Sequence, residues 1–112
     1  YSANSWTQLG GDIDGEAAGD QSGYSVSMSG DGTKVAIGAL YNDGNGSNSG
    51  HVRVYSYSAN SWTQLGGDID GEAANDRSGT SVSMSGDGTK IAIGAPYNDF
   101  NGTNSGRVRV YE

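Results

Sequence analysis

The sequence predicts an all-β protein made of β-propeller blades, two per chain, each a four-stranded antiparallel sheet. Three observations carry that expectation. The chain is two copies of one 56-residue unit, residues 1–56 and 57–112, which differ at nine aligned positions. Each unit holds four short stretches that alternate large and small or polar residues with a period of two. Gly, Asn and Asp cluster between those stretches, and no 3.6-residue periodicity occurs anywhere. A four-stranded unit repeated every few tens of residues is the signature of a propeller blade.

In chain order, Tyr1–Asn4 reads as the tail of a strand and a turn. Ser5–Leu9 reads as a short strand, with Trp6 and Gln8 on one face. A tryptophan in such a strand is expected in the core. Gly10–Gly23 is a long polar connection anchored by Ile13. The central hairpin follows. Tyr24, Val26 and Met28 alternate with serines, Gly30-Asp31-Gly32 supplies a tight turn, and Lys34–Ala39 returns. Val35 and Ile37 share one face, with the small Ala36 and Gly38 on the other. Leu40–Gly50 is a second loop, with Tyr41 as its expected anchor. His51–Tyr55 is the third strand, Val52 and Val54 inward. The second unit repeats this, and Pro96 falls just after a strand, where proline is tolerated.

The phase of the repeat divides each blade between units. Residues 1–56 hold the outer strand of a preceding blade plus three strands of blade 1. Residues 57–112 hold the outer strand of blade 1 plus three strands of blade 2. The expectation is a window on a longer repetitive polypeptide, or the repeat of a larger assembly. Ser5–Leu9 would then pair with the last strand of a previous copy, in the same chain or another molecule. Exposed strand edges are avoided or used for assembly. The apolar supply points the same way. One unit offers fourteen large apolar residues among 56, too few for a sheet that stands alone without neighbours on its faces.

Composition narrows the partners. A net charge of −7 disfavours nucleic acid, whose phosphates need a basic face. No apolar run approaches the length of a membrane-spanning helix. Without cysteine there are no disulfides or thiolate metal sites.

The run SGxSVSMSGDGTKxAIGAxYND…SGxVRVY resembles the FG-GAP repeats of integrin-α-like β-propellers, across the whole of each unit. Gly94-Ala95-Pro96 matches the "GAP" element, and Gly23 and Gly79 stand just before the first strand. Leu40 replaces the proline in the first unit, and Ser22 and Ser78 stand where the family has Phe. The resemblance implies propeller blades in extracellular or cell-surface adhesion proteins. It also implies a calcium loop in the first hairpin. Its ligand positions fall on Ser27, Ser29, Asp31 and Val35, and on Ser83, Ser85, Asp87 and Ile91. One carboxylate per loop is too few for calcium, which takes six to eight oxygens. The expectation is that the hairpin holds no metal and that Asp31-Gly32 serves the turn.

Other clusters have plain readings. Asp12, Asp14, Glu16 and Asp20, with Asp68, Asp70, Glu72 and Asp76, could converge on calcium. They lack the full EF-hand spacing and read first as turn caps. The loop Asn42–Asn48 likewise offers oxygens but reads as a polar turn. Asn45-Gly46-Ser47 and Asn101-Gly102-Thr103 are glycosylation candidates, at Asn45 and Asn101. His51 stands alone and becomes Arg107 in the second unit, which speaks against a ligand or catalytic role. No Ser-His-Asp set or tuned carboxylate pair emerges, so the sequence carries no catalytic residues, cofactor site or metal site. The expected function is a structural or scaffolding repeat of an extracellular array, filament or surface protein. Its partners would be other copies of the repeat. The alternatives are an adhesion propeller that binds calcium, glycan or extracellular protein through its loops, and a reconstructed repeat protein that assembles from two-blade pieces.

Overall fold

The computed structural model describes all of residues 1–112 and contains eight strands and no helix. They are β1 Ser25–Met28, β2 Lys34–Ala39, β3 His51–Ser58, β4 Ser61–Gln64, β5 Ile69–Asp70, β6 Ser81–Met84, β7 Ile91–Ala95 and β8 Arg107–Tyr111. With no helix present, none is long and apolar enough to cross a membrane. Blade 1 is the antiparallel sheet β1-β2-β3-β4, with the short β5 added to the far end of β3. Blade 2 is β6-β7-β8. The registers are the same 56 residues apart: Met28 faces Val35 and Val35 faces Tyr55, while Met84 faces Ile91 and Ile91 faces Tyr111.

The sequence chemistry explains each corner. The β1–β2 turn closes as Ser29 N–H donates to the Lys34 carbonyl at 2.9 Å, with Gly32 at φ 75°. The Asp31 carboxylate accepts from Ser29 Oγ, Thr33 N and Thr33 Oγ1 at 2.9, 3.0 and 2.8 Å. These bonds, led by the Thr33 backbone N–H, hold its pKa down at about 2. Asp87 repeats the arrangement and sits at about 2 as well, led by the Ser85 hydroxyl. Both carboxylates are thus committed to turn closure. The β3–β4 hairpin turns at Ala59 and Asn60, both left-handed at φ 49° and 64°, the geometry of a type I′ turn. Ala3 and Asn4 make the same turn at φ 51° and 63°.

Alternation gives each blade two unlike faces. The large face carries Val26, Met28, Val35 and Ile37, or Val82, Met84, Ile91 and Ile93. The small face carries Ser25, Ser27, Ala36 and Gly38 with Val52 and Val54. The large face of blade 2 packs on the small face of blade 1. The core that results is Ala36, Val52, Met84, Ile91 and Ile93, flanked by Val54, Ile69, Val82 and Tyr111. The serines of the small face are bonded across the junction. Ser27 Oγ accepts from Met84 N–H at 2.9 Å, and Ser25 Oγ donates to the Gly79 carbonyl at 2.7 Å. Gly38 must be glycine here, since a Cβ would overlap the Gly79 carbonyl.

Four expectations need correction. Ser5–Leu9 forms no strand within this chain. Only its tip is built, by paired hydrogen bonds between Ser2 and Ser5. Trp6 is therefore 84% exposed rather than in the core, although it packs on Tyr1 at 5.2 Å as Trp62 packs on Tyr57 at 5.0 Å. Trp62 is half-buried, and its indole N–H donates to the Leu9 carbonyl at 3.0 Å. The buried anchor of the second loop is Leu40, not the half-buried Tyr41. Finally, the polar connection after β4 contains β5, whose Ile69 pairs with Val52 and joins the core.

Candidate functional site

The residues with the richest chemistry lie where the connection between blades crosses blade 1. Residues 71–78 run along the second loop of that blade. The N–H groups of Gly71, Asn75, Arg77 and Ser78 donate to the carbonyls of Gly50, Ser47, Asn48 and Ser49, at 2.8 to 3.0 Å. Gly50, at φ 78°, lies so close to Ser78 that a side chain would strike the Ser78 carbonyl. The paired backbones pin the acidic connection against the start of β3, where His51 and Arg53 stand.

The structure splits the acidic cluster into separate tasks. Asp20 and Asp76 are buried, and each accepts from a buried asparagine, Asn42 or Asn98, at 2.8 Å. Those asparagines in turn accept from the N–H of Gly44 and Phe100. Asp12 accepts from Gln8 at 2.9 Å. Asp68 binds Arg53 at 2.7 and 3.1 Å and Gln64 at 2.7 Å. The Arg53 guanidinium, followed by Gln64, holds the Asp68 carboxyl down at about 2. Glu16 is bonded by Asn42 and Arg53, and both lower its pKa, the Asn42 amide most. Arg53, held by Asp68 first, has its own pKa raised. These carboxylates cap and pair, as turn residues do.

His51 stands at the start of β3. It is 4% exposed, and its Nδ1 has no hydrogen-bond partner. That atom lies 3.9 Å from Asp68 Oδ2 and 4.0 Å from Asp70 Oδ1. Glu16, His51 and Asp68 bring ligand-type atoms within 4.8 Å of one another. In the second unit Arg107 takes the place of His51 and binds both oxygens of Glu72 at 2.9 and 3.1 Å. A second feature invisible in the sequence is Arg77. Its guanidinium lies over the rings of Tyr97, at 4.5 Å, and Tyr41, at 5.2 Å, linking the loops of both blades.

The glycosylation candidates are not equivalent. Asn45 Nδ2, the atom a glycan would occupy, donates to the Gly71 carbonyl at 2.9 Å. Asn101 is exposed on its loop and makes no such bond.

An all-β chain of two registered blades, packed large face on small face, is a propeller-type repeat protein. A family model for the FG-GAP repeat matches residues 13–55 and again residues 69–111. The chain therefore belongs to the FG-GAP repeat family, a family of integrin-like, non-catalytic repeats. A search of curated proteins finds no match to the chain.

Proposed function

We propose that this chain is a structural repeat module that assembles with further copies of itself, and not an enzyme. One observation carries the reading: both halves of the internal blade junction recur at the two ends with Val26, Met28, Val108 and Val110 open to solvent, although Val35 on the large face of blade 1 is buried. On the large face of blade 1, Val26 and Met28 are 62% and 55% exposed, whereas Met84 at the matching place in the junction is 9% exposed. On the small face of blade 2, Val108 and Val110 are 69% and 67% exposed, whereas their counterparts Val52 and Val54 are fully buried and half-buried. Apolar patches of this kind mark interaction surfaces.

A groove on blade 2 supports the same occupant. It is lined by Gly94, Ala95, Ser105, Gly106, Arg107 and Val108 among others. The corresponding residues of blade 1 hold Ser78 and Gly79. Ser22-Gly23 of another copy carries the same two residues as Ser78-Gly79. The edge strand β8 would take Ser5–Leu9 of that copy as its outer partner, as β3 takes β4. Such a contact is head-to-tail, so it builds a ring or an open filament. An extracellular or cell-surface setting follows from the family and is part of the proposal.

Complementation tests it. Met28→Asp spoils one open face and Val108→Asp the other. Each variant alone should be monomeric by size exclusion with light scattering, and an equimolar mixture should form a one-to-one pair through the two intact faces. Failure of the mixture to associate would overturn the reading.

A further inference from the structure

We propose that His51, Asp68 and Glu16, with Asp70 in reach, form a binding site for a divalent transition-metal ion of the zinc class. The site gathers three segments. Glu16 comes from the connection entering blade 1, His51 from β3, and Asp68 and Asp70 from the connection leaving for blade 2. The first three present ligand-type atoms within 4.8 Å of one another.

The buried imidazole supplies the independent reason. Nδ1 is sealed from solvent and bonded to nothing, yet it faces two carboxylate oxygens at 3.9 and 4.0 Å. In one tautomer a lone pair points at anionic oxygens, which is repulsive. In the other an N–H points at acceptors beyond hydrogen-bond range. A cation set between them satisfies the nitrogen and both oxygens together. Charge agrees: Glu16 and Asp68 share the guanidinium of Arg53 and no Lys or Arg pairs with the Asp70 carboxylate, leaving an excess of negative charge that a divalent ion neutralises.

The donor set selects the ion. One imidazole nitrogen with carboxylate oxygens suits zinc and its neighbours, whereas calcium and magnesium favour all-oxygen shells. Zinc bonds of about 2.0–2.1 Å place tetrahedral ligand atoms about 3.3 Å apart. The distances from His51 Nδ1 to Asp68 and Asp70, 3.9 and 4.0 Å, therefore need to close by about 0.6–0.7 Å, and the widest pair of the cluster by up to about 1.5 Å, to meet that geometry. In the second unit the fixed cation of Arg107 stands in the place of His51 and binds Glu72, the counterpart of Glu16. A bound ion would fasten both connections to β3 and stiffen the passage from blade 1 to blade 2. The proposal does not depend on self-assembly.

His51 is the single histidine of the chain, so its imidazole resonances report on the site without overlap. Zn2+ should be titrated into the 112-residue chain at neutral pH by calorimetry, with nitrogen NMR of the imidazole in parallel. The expected result is one ion per chain, a large shift of the Nδ1 resonance, and binding that excess Mg2+ or Ca2+ does not displace. His51→Arg copies the residue of the second unit and should fold with unchanged circular dichroism while losing the ion. Asp68→Asn and Glu16→Gln should weaken binding about tenfold or more. Absence of saturable binding, an unmoved Nδ1 resonance, or equal affinity in folded His51→Arg would overturn the proposal. The wild-type NMR experiment decides the matter if that variant fails to fold.

Discussion

Met28 and Met84 are the same residue at the same place in two blades, one at an open end and one inside the junction. Cutting each to alanine isolates what a neighbouring blade contributes. Met84 is 9% exposed and packs in the cluster with Val52 and Ile93. Buried methionine to alanine costs about 2–5 kcal/mol, and a position at the margin of its cluster belongs near about 2–3. Met28 is 55% exposed, so Met28→Ala should cost about 0.5 kcal/mol or less. The assay is urea unfolding in a Val108→Asp background, which keeps the chains apart. With a slope of about 2 kcal/mol per molar urea, Met84→Ala lowers the midpoint by about 1–1.5 M and Met28→Ala by about 0.25 M or less. In the assembled wild-type protein Met28→Ala should become costly too, in a concentration-dependent way. Equal costs in the single chain would refute the claim that the two faces differ only in being covered.

Other outcomes follow from particular contacts. Gly50→Ala should destabilise more than Gly66→Ala by urea midpoint. Both glycines are left-handed, at φ 78° and 75°, but only Gly50 has a carbonyl in the way. The second change carries just the backbone strain of about 1 kcal/mol. Acid should loosen both hairpin turns. The folded pKa values of Asp31 and Asp87, at about 2, lie below the ordinary 3.8, so their contribution is present above about pH 4 and is lost as pH falls toward 2. The melting temperature should drop across that window, and less so in the double variant Asp31→Asn, Asp87→Asn. Expressed through a glycosylating secretory pathway, the chain should carry glycan at Asn101 in preference to Asn45, whose amide is bonded to Gly71. Site-resolved mass spectrometry reads the ratio, and equal occupancy would contradict it.

The blades were legible because their cause is local. Period-two alternation, the Asp-Gly turn and the 56-residue repeat set the strands and registers before any long-range contact is considered. What escaped depends on segments meeting at a distance. β5 has two residues and exists because Ile69 folds back onto Val52. Leu40 is buried where Tyr41 is half-buried, a difference local alternation does not show, while Trp6 is exposed because no strand of this chain pairs beside it. The site around His51 draws on residues 35 positions upstream and 17 downstream, in Glu16 and Asp68. Its only trace in the sequence is the exchange of His51 for Arg107, two nitrogen bases at one position opposite acidic loops. Read alone, that exchange argued against a ligand. The structure shows Arg107 bonded to Glu72, the counterpart of Glu16, while His51 Nδ1 faces Asp68 and Asp70 with no hydrogen-bond partner.

The most direct test of the account is the native mass of the unmodified chain across a dilution series. Association through matching open faces predicts species at two or more multiples of 11.5 kDa, dissociating on dilution. A folded 11.5 kDa species at every concentration, with Val26, Met28, Val108 and Val110 still open to solvent, would contradict it.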